Sequence, residues 1–243
     1  MMLALRSAFA RIKGRLVLDQ WLGNFLLMLL AAAWLQIPDS HAWQFAFSLF
    51  SAVLLVIAFL WLYISSFRRL RICTRPPWWQ SCLLLAALVI LCWLLLKPIA
   101  AGRAHEAIFA GYWNSQSPAW LRYYLGYSSL VAWQERIYDG IECLLAGLLL
   151  PLAIEICACG WHADWLRRAA RVYRRWLYWL CVFLFGFGGA ALTWALADWT
   201  PNAGLAGQTL SVAARLGIAY TLDILLWCFL LGLTAHYLDP EAS

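Results

Sequence analysis

Charged residues are scarce in this chain of 243 amino acids. Lysine, arginine, aspartate and glutamate together make up 12% of the sequence, whereas a soluble domain carries about a quarter. Hydrophobic residues make up 65%, compared with roughly half in a soluble domain. These proportions exclude an ordinary water-soluble domain, a disordered chain and a collagen-like fibre. They predict a polytopic α-helical membrane protein.

Recognisable catalytic and cofactor motifs are also missing. The sequence contains no H-E-x-x-H, no G-x-S-x-G and no phosphate-binding glycine loop. Its eight cysteines lie largely within or beside apolar runs, unlike those of a small secreted disulfide scaffold. The cysteines and histidine at 157–162 have neither C-x-x-C spacing nor a matching second pair, so we predict no metal site and no cofactor.

Six segments are long and apolar enough to cross a bilayer as helices, which takes about 20 residues. They are residues 21–37, 45–65, 79–98, 140–159, 176–199 and 213–237. A cleaved signal peptide is the alternative for the first of them, with Ala31-Ala32-Ala33 as the cleavage site. We favour a retained span because residues 3–16 have the pattern of an amphipathic interfacial helix. The predicted fold is therefore an all-α bundle of six transmembrane helices, preceded by an amphipathic helix.

The basic residues alternate in number between the segments that connect these spans. Thirteen of the 18 lie in the N-terminal segment, in 67–78 and in 160–175. Basic loops are normally retained in the cytoplasm. We therefore predict a multi-pass protein of the cell membrane with both termini in the cytoplasm. The net charge of +6 then reflects membrane topology, and we expect the lipid bilayer as a partner and no nucleic acid.

The longest connection, residues 99–139, is polar but rich in tyrosine and tryptophan. Such rings favour the headgroup layer of a membrane. Ser117-Pro118 should divide the segment into two short helices, giving an interfacial helical hairpin outside the bundle. It could serve as a lid over the outer end of the bundle, or as a surface that grips a lipid headgroup or a lipid-linked substrate.

Ionisable residues inside an apolar span are costly and therefore mark candidate sites. Asp223 lies about eleven residues into the sixth span, near its middle, and Glu155 lies near the cytoplasmic end of the fourth. No second acid or base near mid-membrane is available for a relay. We therefore predict that Asp223 is a structural hydrogen-bonding group, with ion or proton coupling as the alternative. Arg215, two turns away, should extend outward to the headgroups.

Two further groups of residues complete the candidate sites. An outer-face polar cluster comprises His105, Glu106, Glu135, Asp139 and Glu142. A helix-packing face in the fifth span comprises Gly186, Gly189 and Ala190, since small residues let helix backbones approach closely. This face would pack inside the bundle or, less readily, form a homodimer.

Two classes of function fit these features. The first is a non-catalytic membrane protein, transporter-like or an accessory subunit, that binds a lipid, a small solute, a partner protein or a second copy. The alternative is a membrane-embedded enzyme that acts on a lipid-linked substrate at the outer surface. An enzyme needs the outer-face acids and His105 to converge on a water-accessible pocket. A carrier needs a cavity near mid-membrane that Asp223 or Glu155 faces. The absence of catalytic motifs favours the first class.

Overall fold

The chain folds as an all-helical bundle in a computed structural model. The structure describes residues 10–38, 40–71, 73, 76–124, 126–162, 164–198 and 204–239. The helices are α1 (Gly14–Trp34), α2 (Ala42–Leu70), α3 (Trp78–Ala104), α4 (Glu106–Gln116), α5 (Ala119–Tyr124), α6 (Tyr127–Cys159), α7 (Trp165–Tyr173), α8 (Trp176–Phe183), α9 (Gly189–Asp198) and α10 (Leu205–Leu238). A π-helical turn, Leu184–Gly188, joins α8 to α9.

Five helices are long and apolar enough to cross a membrane: α1, α2, α3, α6 and α10. Their outward faces carry large apolar side chains that would be unfavourable in water, including Phe50, Ile57 and Trp93, each more than half exposed. The chain is therefore a membrane protein by the length and composition of its helices. The first half of the predicted amphipathic helix, residues 3–9, lies outside the described residues, and its last residues, 14–16, belong to α1.

The predicted fifth span, 176–199, is not one regular helix. It consists of α8, the π-helical turn and α9 in direct succession. Extra-residue turns of this kind occur where a helix must adapt to a close neighbour. Here Gly186, within the turn, packs directly against Cys143 of α6.

The two ends of the bundle differ in charge. One end gathers the start of α1, the end of α2, the end of α6 and the end of α10, where Arg69 pairs with Asp19 and Arg71 pairs with Glu155 and Asp239. We call it the basic end. Arg103 and Asp139 lie at the other, which we call the opposite end.

Helix α6 begins earlier than the sequence analysis expected. It starts at Tyr127 and continues without a break through residue 140, so the helix that contains the predicted span 140–159 begins 13 residues before it. The chain does break at Ser117 and Pro118, between α4 and α5. The second half of 99–139 is thus largely part of a long helix, because polar residues continue a helix readily once it leaves the apolar layer.

Helix α6 is also the centre of the core. Half of its most apolar stretch is buried, a larger share than in the other long helices. Around it lie fully buried side chains from neighbouring helices, among them Ile64, Tyr178, Leu231 and Leu238.

A tyrosine from a neighbouring helix supplies the hydrogen bond that a proline in α6 cannot donate. Pro151 has no N–H, so the carbonyl of Gly147 loses its normal helical donor. The Tyr178 hydroxyl of α8 donates to that carbonyl instead. Tyr173 of α7 donates to the adjacent carbonyl of Leu148, and burial raises the pKa of Tyr173 to about 12, so this phenol stays a donor near neutral pH. These two bonds hold α7 and α8 against α6 one turn before Pro151.

This arrangement predicts a conditional effect of Tyr178→Phe. In the native chain the substitution leaves the Gly147 carbonyl without a donor, and we expect a loss of about 1 kcal/mol in stability. In a Pro151→Ala background the restored N–H can serve the same carbonyl, so the loss should shrink towards zero. Thermal unfolding of the four proteins in detergent measures the coupling, with Tyr123→Phe, an exposed residue, as the control. Equal losses in both backgrounds would contradict the explanation.

Candidate functional site

A partly open cavity of about 580 Å³ lies between the helices of the bundle and is the main candidate for a binding site. It is lined by α2, α3, α6, the end of α8 with the π-helical turn, and α10. Its walls are mostly apolar, formed by residues such as Phe67, Leu85, Leu150, Phe185 and Trp227. Along α6 it extends from Asp139 to Ala153, which corresponds to about 20 Å of helix. A long apolar cavity of this volume suits the hydrocarbon part of a ligand.

Two carboxylates form the edge of this cavity at the opposite end. Arg103 Nη2 of α3 lies 2.8 Å from Asp139 Oδ1 and 3.3 Å from Glu142 Oε1. All three side chains are about 40 to 50% exposed. Two acids thus share one guanidinium, which leaves this edge with a net negative charge and with carboxylate oxygens open to a second cation.

The structure separates the predicted outer-face polar cluster into two parts. Asp139 and Glu142 meet at Arg103, as described. His105 and Glu135 are exposed and do not line the cavity. Glu106 occupies the first turn of α4, where a carboxylate stabilises a helix through its dipole. The five residues therefore do not converge on one pocket within the described part of the chain.

Glu155 lies at the other end of α6, where it is fully buried among basic side chains. Arg168 Nη1 donates to Glu155 Oε1 at 2.9 Å. Arg71 Nη2 lies 2.9 Å from Oε2 as an ion pair, outside hydrogen-bond geometry. His162 places Nε2 3.4 Å from Oε1 while its Nδ1 is 3.0 Å from the carbonyl of Gly160.

The ion pairs continue from Glu155 to both ends of the described chain. Arg71 also pairs with Asp239, which follows α10, and Asp239 pairs with Arg11, which precedes α1. We call Arg11, Arg71, Glu155, Arg168 and Asp239 the basic-end network. It ties α2, α6, α7 and the two chain ends together, and it holds three guanidinium groups to two carboxylates.

A second set of contacts joins the loop after α2 to the end of α6. Arg68 Nη2 donates to the carbonyl of Pro76 at 2.6 Å and to Ser81 Oγ at 2.8 Å. Ser81 Oγ in turn donates to the carbonyl of Cys157 at 2.8 Å. A disulfide links Cys73 to Cys159 beside these bonds. The sequence analysis weighed Cys159 only as a metal ligand and missed this disulfide, because the two positions are separated by 86 residues and share no local motif.

Asp223 faces a neighbouring helix. Its side chain is half-buried, and its Oδ1 lies 2.8 Å from the position that a Cβ on Gly189 would take. Gly189 therefore lets α9 approach the carboxylate closely. Asp223 is not among the residues that line the cavity.

Arg215 differs from its expected position. It is 6% exposed, and its Nη1 donates to the Leu196 carbonyl near the end of α9 at 2.6 Å. Its Nε donates to the Ser211 carbonyl at 3.1 Å. The expectation that it extends outward is wrong, because the last carbonyls of α9 lack helical donors and offer acceptors inside the bundle.

The small residues of the fifth predicted span lie at helix contacts. A Cβ on Gly186 would overlap Cys143 Sγ, and a Cβ on Gly189 would meet Asp223. Gly186 thus contacts α6 while Gly189 contacts α10. The side chain of Ala190 lies outside the described residues.

Comparisons with known proteins assign no family to this chain. No family model, no curated protein and no solved structure matches it. Within the described ranges, no group of three or more histidine, cysteine, aspartate or glutamate side chains could hold a metal ion. The function must therefore be inferred from the cavity and its charged ends.

The close contact at Gly186 predicts that a larger residue there destabilises the protein, and Gly188 in the same turn provides the control. Gly186→Ala should lower the melting temperature, since the new methyl overlaps Cys143 Sγ. Gly188→Ala should have little effect, because its nearest neighbour is Leu184 Cδ1 at 3.5 Å. Cys143→Ala removes the sulfur and should restore most of the stability of Gly186→Ala. Failure of that rescue in detergent melting curves would show that Gly186 has another role.

The burial of Glu155 predicts that neutralising it is costly. Glu155→Gln removes the carboxylate that pairs with Arg168 and one of the two that pair with Arg71, and breaking a buried pair costs about 3–5 kcal/mol. Glu135→Gln changes the same residue type on the same helix at an exposed position and should cost about 0.5 kcal/mol or less. The free energy of unfolding of each variant is measured and compared with that of the native protein. A similar small change in both would contradict the importance of the network.

Proposed function

We propose that this protein is a non-catalytic, six-span membrane protein, transporter-like or an accessory subunit, that binds an amphipathic lipid-like molecule in the cavity. The hydrocarbon part of the ligand occupies the apolar cavity. A head group that carries an ammonium lies at Asp139 and Glu142. The observation that carries this proposal is the elongated apolar cavity with an acidic edge at one end.

Six spans agree with the way in which the two chain ends meet. Arg11 and Asp239 pair at the basic end, so an even number of crossings is needed between them. The five long helices provide an odd number. The path through α8, the π-helical turn and α9 supplies the sixth crossing.

The orientation follows from the distribution of charge. Most of the basic residues lie in the N-terminal segment and in the loops at 67–78 and 160–175, and the described parts of these three segments belong to the basic end. Basic segments of this kind are retained in the cytoplasm, so the basic end and both termini face the cytoplasm of the cell membrane. The acidic edge of the cavity then lies towards the outer leaflet.

The charge at that edge favours a ligand with a positive group. Asp139 and Glu142 share Arg103 and keep about half of their surface exposed, so a ligand ammonium can approach without displacing the arginine. A purely anionic head group would meet two carboxylates. The enzymatic alternative has less support, since His105 and Glu135 are exposed away from the cavity and an enzyme needs converging groups.

Photolabelling in lipid nanodiscs tests the proposal. The probes are phosphatidylethanolamine, which carries an ammonium, and phosphatidylglycerol, which does not, each with a photoreactive group on the acyl chain. We expect phosphatidylethanolamine to label cavity-lining peptides of α3 and α6 more strongly. Ala146→Phe, which fills part of the cavity, should suppress this labelling.

Two comparisons make the test specific. Ala132→Phe adds the same bulk on α6 at an exposed position away from the cavity and should leave labelling unchanged. Combined Asp139→Asn and Glu142→Gln should remove the preference for phosphatidylethanolamine while the cavity still labels. Equal labelling of the Ala146→Phe and Ala132→Phe proteins would contradict binding in the cavity.

A further inference from the structure

The disulfide between Cys73 and Cys159 is placed where it can be reached. The two Cα atoms are 5.5 Å apart, and both residues are partly exposed. Cys157, only two positions before Cys159, is fully buried. The structure thus distinguishes an accessible pair of cysteines from the buried one beside it.

The disulfide and the basic-end network join the same two segments. Arg71 precedes Cys73 by two residues, and Glu155 precedes Cys159 by one helical turn. The Arg71–Glu155 ion pair and the disulfide therefore bridge the end of α2 to the end of α6 side by side. Gly160, which ends α6 with a φ of 79°, packs against Pro76 of the same loop: a Cβ at Gly160 would lie 3.3 Å from that of Pro76.

The surroundings of this pair are basic. Arg71, two residues before Cys73, and Arg168 of α7 both contact Glu155, which lies one helical turn before Cys159. Positive charge favours the thiolate, which is the form that reacts with disulfides. The charge pattern that makes this end basic also predicts that it faces the cytoplasm, where thiols are kept reduced.

We propose that Cys73 and Cys159 form a reversible thiol–disulfide site that reacts with low-molecular-weight disulfides such as oxidised glutathione. Its reversibility in the cell rests on the proposed orientation, whereas the exchange itself depends only on the geometry of the pair. In the oxidised form the bond locks the basic-end network, and in the reduced form the ion pairs and the hydrogen bonds through Arg68 and Ser81 hold the segments together.

The exchange proceeds in two steps. The thiolate of one cysteine attacks a sulfur of glutathione disulfide, forming a mixed disulfide and releasing one glutathione thiolate. The thiolate of the other cysteine then attacks the protein-side sulfur, closing the Cys73–Cys159 bond and releasing the second glutathione. Two protein thiols are oxidised, one glutathione disulfide is reduced to two thiols, and the two protons of the protein thiols end on the two released glutathiones.

Closure of this bond also affects the cavity. Phe67 of α2 and Ala153 of α6 line the cavity, and they lie one turn or less before Arg71 and Glu155. A covalent link between the ends of α2 and α6 therefore fixes the relative position of two cavity walls. Oxidation of the two cysteines thus reduces the mobility of the cavity wall at the basic end.

A glutathione redox titration of the full-length protein in nanodiscs tests the site. The fraction of disulfide at each ratio of reduced to oxidised glutathione is read by a gel shift after labelling of free thiols with a polyethylene-glycol maleimide under denaturing conditions. We expect a single two-thiol transition that is lost in Cys73→Ser and in Cys159→Ser. Cys157→Ser is the matched control and should keep the transition.

Coupling to the network is tested in the same assay. A lysine cannot reproduce the two-sided contacts of an arginine, so Arg71→Lys should lower the equilibrium constant for disulfide formation by about tenfold, equivalent to about 1.4 kcal/mol. Glu135→Gln should leave it unchanged. A pair that stays fully reduced at every ratio, one that stays bonded at the most reducing ratio, or loss of the transition in Cys157→Ser would each overturn the proposal. An Arg71→Lys titration identical to that of the native protein would overturn the coupling.

Discussion

The buried carboxylate of Glu155 is the constraint on which the rest of the structure depends. An isolated carboxylate is very costly inside a protein, and only close cations with good geometry offset that cost. Arg71 and Arg168 fill this role from α2 and α7, and Arg71 extends the contact to Asp239 at the end of α10. One acidic side chain on the central helix thus fixes the positions of α2, α7 and the end of α10, directly or through Arg71.

The position of α6 then determines the cavity. Glu155 holds α6 at the basic end, and α6 continues from there to the opposite end. Tyr178 of α8 donates to the Gly147 carbonyl that Pro151 leaves without a helical donor, and Gly186 lets the π-helical turn approach Cys143. The space left between α6, α3 and α10 is apolar along its walls and acidic at its edge. The apolar walls and the acidic edge of this space favour the binding of an amphipathic molecule.

Local sequence patterns predicted what depends on local chemistry. The apolar runs identified the long helices, Ser117-Pro118 marked a break, and the small residues marked close helix contacts. The pairing of Arg71 with Glu155 was not predictable, because these positions are far apart in sequence. Basic residues in a loop are also equally consistent with a solvent-exposed surface. The same holds for Cys73 and Cys159. Arg215 was placed wrongly because its acceptor is a backbone carbonyl, which no side-chain pattern reveals.

The side of the membrane on which each chain end lies tests the central claim most directly, since the basic-end network joins residues next to both ends. Small epitope tags at the N-terminus and the C-terminus of the full-length protein can be probed with antibodies in intact cells and after permeabilisation. The account predicts that both tags are detected only after permeabilisation. Detection of either tag in intact cells, with the other one protected, would contradict an even number of crossings and with it the network that binds the first helix to the last.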